Sequence, residues 1–202
     1  MTINELHIQL DLRPENKINL LEDVARKCNE GYLFVDSSNG QCYLFNEDGN
    51  EVNIKKLTTI DNELFYDSNI ESIVIPDSVE RIENWAFGFC ENLTSIEIPN
   101  SVKWIGGDVF AFCENLTSIV IPDSVKHIGN YAFEDCTNLT SIVIPDSVES
   151  IGNCAFNNCE KLKSLIFKKL KSLSFKGKTI HQIKAIKNYP FGIKDESIIR
   201  CI

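Results

Sequence analysis

Pro76, Pro99, Pro122 and Pro145 stand 23 residues apart, and so do Cys90, Cys113, Cys136 and Cys159. Between these markers the chain writes one pattern four times. Residues 116–138 and 139–161 agree at 16 of 23 positions, and 93–115 and 70–92 repeat the pattern with more drift. Half a copy precedes them, where Ile60, Leu64 and Phe65 mimic Ile82, Ala86 and Phe87 at a spacing of 22. Another half copy comes after them, with Leu162, Leu165 and Phe167 but Lys168 where the proline would stand. A fixed short period narrows the choice of fold sharply, because one such unit cannot enclose a core and must bury its apolar face against its neighbours.

Each copy has a physical reading. Leu93, Ile96 and Ile98 place apolar groups at i, i+3 and i+5, the last two at the period-2 spacing of a short strand. Pro99 ends that strand because it has no N–H to give a ladder. The Asn100-Ser101 pair, Asp-Ser in the other copies, suits a turn. Val102, Ile105, Phe110 and Cys113 then return apolar side chains from the opposite wall.

The string T-S-I-x-I-P-D-S-V-x-x-I-G-x-x-A-F-x-x-C-x-N-L closely resembles the BspA-like subfamily of leucine-rich repeats, over residues 57 to about 167. The resemblance implies an α/β repeat solenoid: a right-handed leucine-rich-repeat stack with a parallel sheet on one face and short helical or irregular turns on the other. It also implies a non-enzymatic protein mediating protein–protein interaction or adhesion, since members are typically surface or secreted adhesins. The start of the chain has neither a basic region nor a continuous apolar stretch of the secretory kind. A cytoplasmic location is therefore expected, with the cell surface or non-standard secretion as the alternative. No uncharged apolar run approaches the ~18 residues of a membrane-spanning helix, so membrane insertion is not expected.

Residues 1–56 do not repeat and read as a small α+β unit capping the open end of residues 57–167. Pro14 opens a helical pattern with Ile18, Leu21, Val24, Ala25 and Cys28 on its apolar face and Gly31 as its stop. A strand is expected at 3–10. Tyr32–Val35 and Cys42–Phe45 read as a hairpin around Ser37-Ser38-Asn39-Gly40, with Asp48-Gly49 turning toward 52–54. Residues 168–202 read as a basic helical C-terminal cap. Lysines among the apolar residues 165–175 discourage edge pairing. Thr179 with Gln182 forms a capping box, Ile180, Ile183 and Ile186 give a stripe, and Asn188–Gly192 closes the helix.

Signals for chemistry are weak. The four periodic cysteines would form a ladder spaced ~4.7–4.9 Å and spanning ~14 Å, whereas tetrahedral zinc needs every sulfur ~2.3 Å from one point. Neighbouring pairs fall within disulfide range, yet without a secretory signal they are expected to remain thiols that pack as small hydrophobes. His7, His127 and His181 lie far apart with no ligand-like companion, and no nucleophile elbow or phosphate-binding loop is present. No metal, cofactor or catalytic residue is assigned. Near-identical repeats yield parallel rows of like groups, whereas catalysis needs unlike groups converging on one point. Asn92, Asn115 and Asn138 match the glycosylation sequon, but each occupies one coil position, which favours a backbone-bonding role.

Rows of like groups do suit binding. If Ile96 and Ile98 face inward, Ser72, Ser95, Ser118, Ser141 and Ser164 form one outward column, and Val74, Glu97, Val120, Val143 and Ile166 form another. An exposed apolar stripe often marks a protein contact, although valine also simply favours strands. A second candidate surface is the variable turn side, carrying Trp85, Phe89, Trp104, Phe112, His127 and Tyr131, where the copies differ. Net charge is −9, unsuited to nucleic acid. It divides unevenly: residues 1–160 hold 9 basic and 27 acidic side chains, and 161–202 hold 11 and 2. The basic end, with Lys168, Lys169, Lys171, Lys176 and Lys178, is either a lysine-rich finish to the fold or a contact for an acidic partner.

Overall fold

The computed structural model describes residues 26–36, 39–46, 48, 50–167, 192–193 and 196–201. It opens on a four-stranded antiparallel sheet, β1 (Arg26–Cys28), β2 (Gly31–Val35), β3 (Cys42–Phe45) and β4 (Glu51–Val52), paired in that order. The expected hairpin is present, with Val35 opposite Cys42 and Tyr32 opposite Phe45. The expected helix through Cys28 is not. Its last residues form β1, which turns back at Asn29-Glu30 so that Cys28 pairs with Gly31. Gly31 is no helix stop but a close approach, since a Cβ there would lie 2.1 Å from the Phe45 carbonyl oxygen. The cross-strand ladder to β2 outweighs the helical periodicity at this end; the rest of that pattern and the strand expected at 3–10 lie outside the described residues.

A 3-10 turn (Ile54–Lys56) then leads into the coils. The chain passes through β5 (Thr59–Ile60), β6 (Arg81–Ile82), β7 (Ser95–Glu97), β8 (Trp104–Ile105), β9 (Ser118–Val120), β10 (His127–Ile128), β11 (Ser141–Ile144), β12 (Ser150–Ile151), β13 (Ser164–Phe167) and β14 (Ile199–Cys201). These build two parallel sheets, ordered β7-β9-β11-β13-β14 and β5-β6-β8-β10-β12. The second sheet corrects the expectation of a single sheet with turns opposite: the Val-x-x-Ile-Gly stretch after each proline turn is itself a short parallel strand. Each coil therefore has three walls, namely the two sheets and a run of turns through the Ala-Phe-x-x-Cys segment. Among the described residues there is no α-helix, so the solenoid is a parallel β stack rather than an α/β one.

Coils stack in register. Ile96 pairs with Ile119, Ile142 with Leu165, and Ile82 with Ile105 and then Ile128. Each proline carbonyl accepts from the valine three residues on, at 3.0–3.2 Å in all four copies. Ser124 Oγ donates to the Val102 carbonyl of the preceding coil at 2.7 Å, and Ser78 Oγ to that of Leu57 at 2.7 Å. The Ile-Gly glycine is a steric requirement: a Cβ on Gly129 would sit 2.4 Å from Gly106 backbone atoms, and one on Gly152 2.3 Å from Asn130 N. Inside, Phe65, Phe87, Phe110, Phe133 and Phe156 form a stack with ring centroids 5.3–5.5 Å apart. One continuous core includes this stack, Leu33 and Leu44 of the first sheet, and Ile193 and Ile199 near the end.

Residues 168–191, including the expected C-terminal helix, lie outside the described residues. Beyond them come a 3-10 turn (Glu196–Ile198) and β14, which pairs in parallel with β13. The lysine-bearing segment after Leu165 is expected to blunt a terminal edge; instead β13 is covered by β14. The first coil is covered from the other side, where the Val74 N–H donates to the Gly40 carbonyl at 2.8 Å.

Candidate functional site

The outward columns of the first sheet stand as one surface. Ser72, Ser95, Ser118 and Ser141 are exposed and Ser164 half-buried; Ile96, Ile119 and Ile142 between the columns are buried. In the second column Val74 is 44% exposed, Val120 74% and Val143 39%, with Glu97 exposed between the first two and Ile166 half-buried at the end. Val74 bridges to Glu97, Glu97 pairs with Val120 and Val143 with Ile166, so the column is continuous in register. Its ends are sealed: Cys42 Sγ donates to the Val74 carbonyl at 3.4 Å, and Ile166 pairs with Arg200. The backbone edges are thus occupied while the apolar side chains stay open.

The six variable residues do not share one face. Trp104 and His127 belong to β8 and β10 on the second sheet, with rings 4.9 Å apart. The Arg81 guanidinium lies 4.8 Å from the Trp104 ring centre, and its Nε donates to Glu83 Oε1 at 2.6 Å. His127 Nδ1 and Ser150 Oγ are hydrogen-bonded at 2.8 Å. Trp85, Phe89 and Phe112 lie on the turn wall with Tyr66, an exposed residue that the full repeats do not single out. A signal for it exists in the chain: at the half-copy's spacing of 22, Tyr66 aligns with Gly88, leaving room for an added aromatic. Tyr66 packs edge-on against Trp85 and Phe89, Trp85 stacks on Phe89 at 6.1 Å, and Phe89 on Phe112 at 4.4 Å.

This wall has an unusual backbone. Glu63, Trp85, Asp108, Tyr131 and Cys154 form one column, and Asp67, Phe89, Phe112, Asp135 and Asn158 a second, all with φ between 52 and 60°. Bulky side chains rarely adopt that region. Inter-coil hydrogen bonds impose it, since the N–H groups of Trp85, Phe89, Phe112 and Tyr131 each donate to a carbonyl of the next coil at 2.8–3.0 Å.

The cysteine ladder does more than fill space. The thiols of Cys90, Cys113, Cys136 and Cys159 donate to the carbonyls of Phe65, Phe87, Phe110 and Phe133 at 3.0–3.1 Å. Burial pushes all four up, Cys159 to about 12, so they are held as neutral thiols. The sequon asparagines also serve the stack: Asn115 Nδ2 donates to the Glu91 carbonyl and Asn138 Nδ2 to that of Glu114, at 2.8 and 2.7 Å.

Two grooves lie where the first sheet meets the first coil. One, of about 520 Å³, is lined by Arg26, Phe65 and Glu71 among others; the second, about 610 Å³, by Cys42, Lys55, Val74 and Asp77. Burial drives the Cys42 thiol up to about 12, which leaves it a poor nucleophile at neutral pH. Lys168, Lys169, Lys171, Lys176 and Lys178, like His7 and His181, lie outside the described residues. Among the described residues no helix is long and apolar enough to cross a membrane.

The family model of the BspA type leucine rich repeat region matches residues 58–191 as six copies. Solved structures are also similar to this chain. A leucine-rich repeat protein from T. pallidum is 25% identical, with 66% of this chain and 77% of that one covered and a TM-score of 0.51. The pneumococcal vaccine antigen PcpA is 26% identical over 69% of this chain and 31% of its own, with a TM-score of 0.53. A leucine-rich repeat protein from Bacteroides ovatus is 24% identical over 72% of this chain, which spans 50% of its length, with a TM-score of 0.49. No curated protein matches the sequence.

Proposed function

Given that this chain belongs to the BspA-type leucine-rich repeat family, whose members typically bind proteins rather than catalyse reactions, we propose that it is a non-enzymatic scaffold that docks a protein partner on the open face of its first sheet. The observation that carries this reading is the column Val74–Glu97–Val120–Val143–Ile166, in which three valines are exposed at a place where the stack itself has no use for them, with one acid among them and a half-buried isoleucine at the end. Outward valines on a pleated sheet form a flat surface whose side chains are already ordered, so a partner covering them loses little conformational freedom on binding. The serine column beside it supplies hydrogen-bonding groups at the same repeat.

The substitutions Val120→Lys and Val143→Lys test this. Both side chains point away from the core, so the pair together changes unfolding free energy by no more than about 1 kcal/mol, while capture of the native partner is lost. A large fall in melting temperature, or undiminished capture, contradicts the proposal. A second reading, a surface or phage-associated adhesive component, draws support from the likeness to the pneumococcal vaccine antigen. Fractionation of the native cell decides between a scaffold held inside and a component carried outside. A third, contact with an acidic partner through the basic end, requires attachment that weakens steeply as salt rises.

A further inference from the structure

Resting on the scaffold reading, we infer that the turn wall around Trp85, Phe89 and Phe112 is a second docking surface, built for an arginine-bearing basic segment of a partner protein. The turn segments 61–69, 83–92, 106–115, 129–138 and 152–161 carry ten acidic side chains and a single base, Lys161. Their charge is interleaved with rings in a definite order. Along the first left-handed column the coils present Glu63, Trp85, Asp108 and Tyr131, alternating acid and aromatic. Along the second they present Asp67, Phe89, Phe112 and Asp135, two rings between two acids. Tyr66 and Tyr131 are 41% and 38% exposed, and the other three rings are half-buried, so the cluster is open from outside.

A ring face beside a carboxylate is the environment a guanidinium prefers: the plane stacks on the ring and the N–H fork meets the acid. The chain already holds one such arrangement, Arg81 over Trp104 with its Nε on Glu83. On the turn wall the anionic and aromatic halves recur without the cation. None of Glu63, Asp67, Asp108 and Asp135 forms an ion pair among the described residues. Burial and the nearby charge of Glu134 raise the Asp108 carboxyl, an unfavourable crowding that an incoming cation would relieve. An aromatic at a left-handed position is costly to the fold, and the equivalent positions in other coils hold Glu, Asp, Asn or Cys, so the rings are not required by the stack.

Calorimetric titration of the full chain with an alternating Arg-Gly peptide, and with a Lys-Gly peptide of equal length, tests the inference. The arginine peptide binds, and more tightly than its lysine counterpart. Trp85→Asn, which suits the left-handed backbone, weakens it by about two- to fivefold without lowering the melting temperature. Glu63→Gln with Asp108→Asn weakens it and flattens its salt dependence. Equal affinity for both peptides with no effect of Trp85→Asn would reduce the wall to unspecific charge and overturn the inference, as would no binding at all. Self-association of the wild-type chain that the peptide reverses would make a second copy's basic end the occupant, and would equally overturn it. Loss of native partner capture on Val120→Lys with Val143→Lys, alongside indifference to the arginine peptide, would leave the scaffold reading standing and remove this one alone.

Discussion

A single atom decides several positions in this stack. Gly129 and Gly152 have backbones any residue can adopt; what excludes a side chain is the preceding coil, 2.3–2.4 Å from where a Cβ would be. Gly129→Ala must push two coils apart, and a fall of ~1–3 kcal/mol in unfolding free energy is expected by denaturant titration. The cysteines give a pH signature. Their folded values are raised above the ordinary 9.0, so the thiols favour the folded state's neutral form. That contribution is complete below pH 9 and is lost as pH rises toward about 12, because the unfolded chain ionises its thiols first. Melting temperature should therefore fall across that window, and Cys159→Ala should make the fall shallower. At this scale the sequence is informative about burial, since the periodic Phe and Cys are all inside or nearly so. It is silent on the left-handed backbone of Trp85 and Phe112, because long-range hydrogen bonds impose a conformation that those side chains disfavour.

Elements are legible where a local rule and the tertiary ladder agree. The Ser-Ile-x-Ile strand, the proline turn and the 32–45 hairpin all arise from residues within a few positions of one another. The second parallel sheet is two residues deep in each coil, too short for alternation to reveal; only neighbours 22 and 23 residues away make Arg81–Ile82 or His127–Ile128 a strand. β1 shows the same priority, since pairing with β2 overrides a helical pattern that runs through Cys28. The end of the chain carries the least expected element. Residues 199–201 return to cover the edge of β13, with Ile199 buried beside Leu165. Ile199→Pro removes an N–H and an apolar contact at once. Lower thermal stability and concentration-dependent association through the uncovered 164–167 edge should result, measurable by scanning calorimetry and sedimentation. A monomer of unchanged stability would show that β14 does not seal the sheet.

For the molecule as a whole, the arrangement turns twenty-three sequence positions into as many lines along an axis. Lines that point inward became the core, the Phe stack and the thiol ladder. Lines that point outward became the serine and valine columns, the Arg81–Trp104–His127 file and the acid–aromatic wall. That conversion explains why the sheet-face columns can be written down from the sequence, whereas the six variable aromatics divide between two walls: their wall depends on where each coil bends. It also explains why equivalent positions line up along the axis instead of converging on one point. The claim rests on a constant 23-residue offset between the repeated coils, and methyl NOESY spectroscopy of the intact chain reads that offset directly. Cross-peaks joining Ile96 to Ile119 and Ile119 to Ile142, stronger than the diagonal ones between positions offset by 21 or 25 residues along the same face, are the predicted result. Strongest contacts at any other constant offset, or at no constant offset, would contradict the stack and every column drawn from it.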